Sequence, residues 1–212
     1  MGKSACAAWM LIWLGCLLGL GLRAESASPE VPIVNLYRGE INGTLFSAMT
    51  ADTMRSLFGP PSAIEEPERR QEGQGTHIQY HTLGLSFAMQ QPREQAPLQC
   101  WRVTMYLTKT WDAKAGMFFL PFPGRLSKQV SQGWTPQRIE TEFRQWYPKS
   151  YPQEQVPALG HEAQRAPAAQ ETYRVLYLDM LDFRIDFFYA QTEQHLHTIQ
   201  LTLPRTVTPA QR

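Results

Sequence analysis

Five histidines and a handful of carboxylates are the side chains best able to do chemistry in this chain. His195-x-His197 has the spacing of two metal ligands on one face of a strand, but a metal site needs three or four donors and supporting hydrogen bonds. The strand parity of Ile199, Leu201 and Leu203 puts both histidines on the apolar face, with His197 the counterpart of Trp101, so a satisfied histidine is the simpler reading. His77 and His81 also share a parity, with no carboxylate obviously beside them. Asp179, Asp182 and Asp186 can supply paired carboxylates for proton transfer. They fall instead where a turn and a polar face are expected, and Glu65-Glu66 lies in a polar loop. Gly-x-Ser-x-Gly, a phosphate-binding glycine loop and His-Glu-x-x-His are all absent, so no catalytic residue, metal ligand or cofactor site is assigned. Cys100 has no basic neighbour to lower its pKa and reads as a small buried residue in a strand. The densest unexplained feature is aromatic: Trp111, Met117, Phe118, Phe119, Leu120 and Phe122 crowd into one connection. They either plug a seam between two small cores or offer an exposed patch to a partner, and on the second reading Trp111, Phe118, Phe119 and Phe122 are the candidate partner-binding residues.

The elements that position these residues can be read from periodicity. Thr50 is placed to cap a helix whose stripe is Met54, Leu57 and Phe58, ending at Gly59-Pro60-Pro61. Thr135 and Pro136 open a second helix with Ile139 and Phe143 on its stripe. Polar, proline-bearing loops follow, over 62–75 and 149–170, and are expected to be solvated. Antiparallel strands come next in each half, with apolar Ile78 and Tyr80, then Leu85, Phe87 and Met89, then Trp101, Val103, Met105 and Leu107. The second half offers Val175 and Tyr177, then Phe183, Ile185 and Phe187, then Ile199, Leu201 and Leu203. Such alternation predicts one face on a core and the other wet.

The matched order of these elements predicts an α+β fold of two tandem repeats, each a short helix packed on an antiparallel sheet. The expected divisions are residues 1–24, a signal peptide; 25–110, repeat one, as strand, helix and three strands; 111–123, the aromatic connection; 124–204, repeat two; and 205–212, a tail. The first division rests on the apolar run 5–22 between Lys3 and Arg23, with a small residue, Ala24, at the cleavage position. The same run reaches the lower length limit of a membrane anchor, and Leu14-Gly15-Cys16 is half a lipid-attachment motif. Export is therefore expected, to the periplasm or beyond, with tethering through 5–22 as the alternative. Cleavage leaves Cys100 as the one cysteine, so the exported chain must be held by burial rather than by a disulfide.

The helix ending Leu57-Phe58-Gly59-Pro60-Pro61-Ser62, followed by Tyr80 and then Gly84-Leu85-Ser86-Phe87, resembles the tandem helix-plus-sheet repeats of the beta-lactamase inhibitor protein and the small outer-membrane assembly lipoproteins. That resemblance implies a protein that binds other proteins and does no chemistry. The inhibitor's repeats are tied by disulfides, which this chain cannot form, and no inhibitory loop residue carries across.

Composition narrows the field further. The chain has 212 residues, 43% hydrophobic, with 20 Lys+Arg against 19 Asp+Glu, which suits a globular protein and gives no basic stripe for nucleic acid. The expected function is an exported, non-catalytic protein-binding module whose partner is another protein of the cell envelope. The alternatives are a small secreted hydrolase built from scattered His and Asp residues, and a membrane-tethered envelope assembly factor.

Overall fold

Each helix begins where a threonine hydroxyl replaces a missing turn. The computed structural model describes residues 31–66, 75–91, 97–146, 159–165, 172–190 and 195–204. In helix α1 (Ala51–Phe58) the Thr53 amide donates to Thr50 Oγ1 at 3.2 Å. In α2 (Pro136–Trp146) the Arg138 amide donates to Thr135 Oγ1 at 3.3 Å. Gly59 then ends α1 at φ +78°, a conformation open to glycine, with its amide on Arg55 O. The α1 stripe buries Met54 and Phe58, and the Phe58 ring lies against Tyr80 and Phe87.

In chain order the strands are β1 (Ile33–Asn35), β2 (Glu40–Ile41), β3 (Thr44–Leu45), β4 (Ala63–Glu65), β5 (Thr76–Tyr80), β6 (Leu85–Gln90), β7 (Gln99–Tyr106), β8 (Thr110–Asp112), β9 (Met117–Phe119), β10 (Arg125–Leu126), β11 (Leu159–Arg165), β12 (Thr172–Asp179), β13 (Arg184–Ala190) and β14 (Leu196–Thr202). Eight of them form one antiparallel sheet in the order β11-β12-β13-β14-β7-β6-β5-β4. A smaller sheet, β10-β1-β2-β3, sets β1 parallel to β10, and β8 with β9 makes a separate hairpin. The architecture is α+β, as the periodicity predicts.

The described strands differ from expectation in number. In the eight-stranded sheet each helix is followed by four strands rather than three, because β4 and β11 occupy stretches that read as solvated loops. Both are edge strands, held by backbone pairing to one neighbour, so neither needs an apolar alternation in its sequence. Each set of four is an up-and-down meander, and the two meet edge to edge through β7 and β14, where Val103 pairs with Leu201, Thr104 with Gln200 and Met105 with Ile199.

Bulges in the two meanders fall at matching places. One lies opposite Ala88/Met89, where Trp101 is the extra residue of β7; the other lies opposite Phe188/Tyr189, where His197 is the extra residue of β14. The carbonyls of both extra residues accept across the seam, from the Leu107 amide to His197 at 2.9 Å and from the Leu203 amide to Trp101 at 2.8 Å. The bulge also resets strand parity, so Leu196 as well as Ile199 and Leu201 faces the core. By this pairing Asp186 occupies the place in the second meander that Ser86 has in the first.

The core lies between one face of the eight-stranded sheet and the helices. It gathers Ile78, Tyr80, Phe87, Val103, Met105, Leu176, Leu178, Ile185, Phe187, Ile199 and Leu201, together with Met54, Phe58, Trp134 and Ile139. In β12 it is therefore Leu176 and Leu178 that face the helices, where Val175 and Tyr177 were expected; the continuous apolar run there gives no parity to read. The opposite face is not uniformly wet either. Gln79, Ser86, Thr104 and Asp186 are all buried on it, in one cross-strand row from Ala63 on β4 to Tyr177 on β12. The expected signal peptide, 1–24, and the tail, 205–212, lie outside the described residues, among which no helix is long and apolar enough to cross a membrane.

Candidate functional site

The aromatic connection folds into the β8–β9 hairpin, and pairing sorts its side chains by face. Trp111 is paired with Phe118, while Thr110 with Phe119 and Asp112 with Met117 alternate to the other side. Asp112 closes the turn: its Oδ1 accepts the amides of Lys114 at 3.0 Å and Ala115 at 3.2 Å, and Gly116 follows at φ +64°. Its other oxygen, Oδ2, accepts from His81 Nε2 at 3.2 Å. That bond puts a proton on Nε2, and no described residue bonds to the buried Nδ1.

The inner face of the hairpin is clamped to the sheet. Phe119, 3% exposed, is stacked between His81 at 4.3 Å and Tyr106 at 4.2 Å, both near parallel. Backbone bonds run from the Leu120 amide to His81 O at 2.8 Å and from the Phe122 amide to Tyr106 O at 2.7 Å. This close approach passes over Gly84, which sits at φ +58°; a Cβ there would overlap the Leu120 carbonyl and the Phe122 amide.

The outer face is apolar and open. Trp111 and Phe118 are 54% and 45% exposed, with ring centroids 4.7 Å apart, and the Lys109 ammonium sits 4.3 Å above Phe118. Leu120 is exposed as well, and so is Met117, although its pairing with Asp112 sets it on the other side of the hairpin. The four candidate partner-binding residues thus divide. Trp111 and Phe118 are surface, whereas Phe119 and Phe122 are buried and have no area to offer a partner. Phe122 joins the main core, but Phe119 seals the far side of the sheet, so the connection is only partly a plug between cores.

Beside the hairpin lies a charged cluster. Lys114 Nζ is 3.6 Å from Glu65 Oε2, and Glu65 pairs across the sheet with His77. Burial first, then the Arg102 guanidinium, holds the His77 imidazole below its ordinary pKa, against the opposing pull of Glu65. Asp112 therefore stands near both His77 and His81, an arrangement invisible in sequence because 31 residues separate it from His81. The turn signature from Asp112 to Gly116 was the readable hint.

The remaining residues singled out from sequence stay apart from this cluster. His195 is exposed, and His197 is half-buried with Nδ1 on Thr198 Oγ1 at 2.8 Å. Asp179 and Asp182 are exposed around the β12–β13 turn, Asp186 is bonded to Arg184 at 2.6 Å, and Glu66 is exposed. Cys100 is buried with its thiol pushed up to about 12 by desolvation, far from a reactive thiolate. Among the described residues no three of His, Cys, Asp and Glu gather as metal ligands.

No protein-family model matches the chain, and no curated protein matches it. Among solved structures, the crystal structure of a DUF4309 family protein (YjgB) from Bacillus subtilis is similar at 16% identity and a TM-score of 0.42, covering 79% of this chain and 90% of that one.

Proposed function

We propose that the chain is an exported, non-catalytic protein-binding module of the cell envelope that receives its partner on the outer face of the β8–β9 hairpin. The observation that carries this reading is the exposed Trp111–Phe118 pair on an element clamped from beneath by Phe119, Asp112 and two backbone hydrogen bonds. Large rings held in place before binding lose little entropy on docking, which is why aromatic side chains dominate binding hot spots. Such a pair suits an apolar depression on the partner. Export is supported by the run 5–22 and Ala24, and N-terminal sequencing of the exported protein is expected to begin at Glu25. The matching bulges and reciprocal seam bonds support two copies of one helix-and-meander unit.

The test is affinity capture from an envelope fraction with the wild-type protein and a Trp111→Ala/Phe118→Ala variant side by side. A stoichiometric partner held by wild type and weakened by about tenfold or more in the variant is expected, given that truncated aromatic hot spots cost about 2 kcal/mol or more. Equal retention by both proteins would remove the hairpin from the proposal.

A further inference from the structure

Across β4, β5, β6 and β7, the sheet face away from the helices carries one row made of Glu65, His77, Ala88 and Arg102. The adjacent row is Ala63, Gln79, Ser86 and Thr104. Ala88 and Ser86 are short, so the longer His77, Gln79 and Glu65 side chains rise around them. Two acceptor atoms here are buried and receive no hydrogen bond from any described residue: Gln79 Oε1, on a residue only 5% exposed, and Glu65 Oε1. Native proteins rarely leave such atoms unsatisfied.

The charges around these acceptors define what fits. Glu65 and Asp112 stand against Arg102 and Lys114. Arg102 holds its guanidinium over the Trp101 ring, 4.6 Å from the centroid. Lys114 is the looser cation, with a side chain 82% exposed and 3.6 Å from Glu65 Oε2. Its ammonium is set on Glu65, and the Gln79 amide oxygen and the His77 ring, whose pKa burial lowers, occupy neighbouring positions on the same face. A cation with several N–H donors in one plane suits a carboxylate and an amide oxygen on neighbouring positions, and the guanidinium has that shape.

We propose that Glu65, Gln79 and His77 form a recognition site for a guanidinium group, an arginine side chain on a peptide or protein ligand, and that binding displaces Lys114 from Glu65. The site does not depend on the hairpin's outer face, so it stands or falls apart from the function proposed above.

The experiment is an NMR titration of the isotope-labelled mature protein at neutral pH with N-acetyl-L-arginine methylamide, following the Gln79 side-chain amide and the His77 ring. Saturable shifts are expected, with the isosteric neutral citrulline probe and the Glu65→Gln variant each weaker by about tenfold or more, the usual loss for a charge-assisted hydrogen bond. Lys114→Met, at an exposed side chain, is expected to bind more tightly because the internal competitor is gone; no unfolded or distorted variant would do so. Trp111→Ala is expected to bind as wild type does. Absence of saturable shifts, equal affinity for the citrulline probe, or weaker binding by Lys114→Met would overturn the proposal. Tighter binding of free L-arginine than of the blocked probe would overturn the assignment to a peptide.

Discussion

Removing the Phe119 ring should release the β8–β9 hairpin while leaving the sheet beneath it folded. Phe119 is 3% exposed, and burying such a ring contributes about 2–3 kcal/mol. Its two stacked neighbours, His81 and Tyr106, add about 0.5–1.5 kcal/mol each. The total for Phe119→Ala, about 3–6 kcal/mol, overlaps the range of about 3–5 kcal/mol for such truncations. What remains to hold the hairpin includes the His81–Asp112 bond, the exposed Lys114–Glu65 ion pair and the amides of Leu120 and Phe122, with roughly 1 kcal/mol net for each neutral bond. Local opening then becomes cheap, and hydrogen exchange at Leu120 and Phe122 should accelerate by roughly a hundredfold to several thousandfold. Phe87, Val103 and Met105 face the opposite core, so β6, β7 and β14 amides should keep most of their protection. A uniform loss across all strands would mean that Phe119 belongs to the global core, and unchanged exchange at Leu120 and Phe122 would mean that the clamp lies elsewhere.

Three other outcomes follow from the same geometry. Gly84→Ala combines left-handed strain of about 1–2 kcal/mol with overlap against the Leu120–Phe122 backbone, so its urea midpoint should fall; a wild-type curve would refute the close approach. Burial raises the Cys100 thiol from 9.0 and the Tyr80 hydroxyl from 10.0, each to about 12. Because the folded values exceed the unfolded ones, their contribution is intact below pH 9 and lost as pH climbs to about 12, so urea midpoints should drop over that window, with the early part of the drop missing in Cys100→Ala. A fragment of residues 25–123 exposes the β7 edge and loses the Leu107–His197 bond, so circular dichroism should show no cooperative melting, whereas the whole chain melts in one transition.

Much of this architecture is legible in sequence wherever the physics is local. Thr50 and Thr135 cap helices because a hydroxyl three residues ahead of an amide is a short-range arrangement. The alternation in Leu85, Phe87 and Val103, Met105 names the core face, since side chains alternate along any strand. Legibility stops where backbone pairing alone makes the element, as in β4 and β11, or where every residue is apolar, as from Val175 to Leu178. It stops again at the bulge, where one extra residue turns His197 off the face that its numbering suggests.

The amino-acid order by itself determined the α+β class, both helix starts and the end of α1, the identity of most core residues and the aromatic density between 111 and 122. Only the tertiary structure decided that Trp111 and Phe118 face outward while Phe119 and Phe122 are enclosed. It also decided that Asp112 meets His81, and that Glu65 and Gln79 each keep a buried oxygen unbonded by any described residue. The division has a physical cause: periodicity assigns a residue to one side of its own strand, but exposure and hydrogen bonding depend on what distant segments are laid across that side.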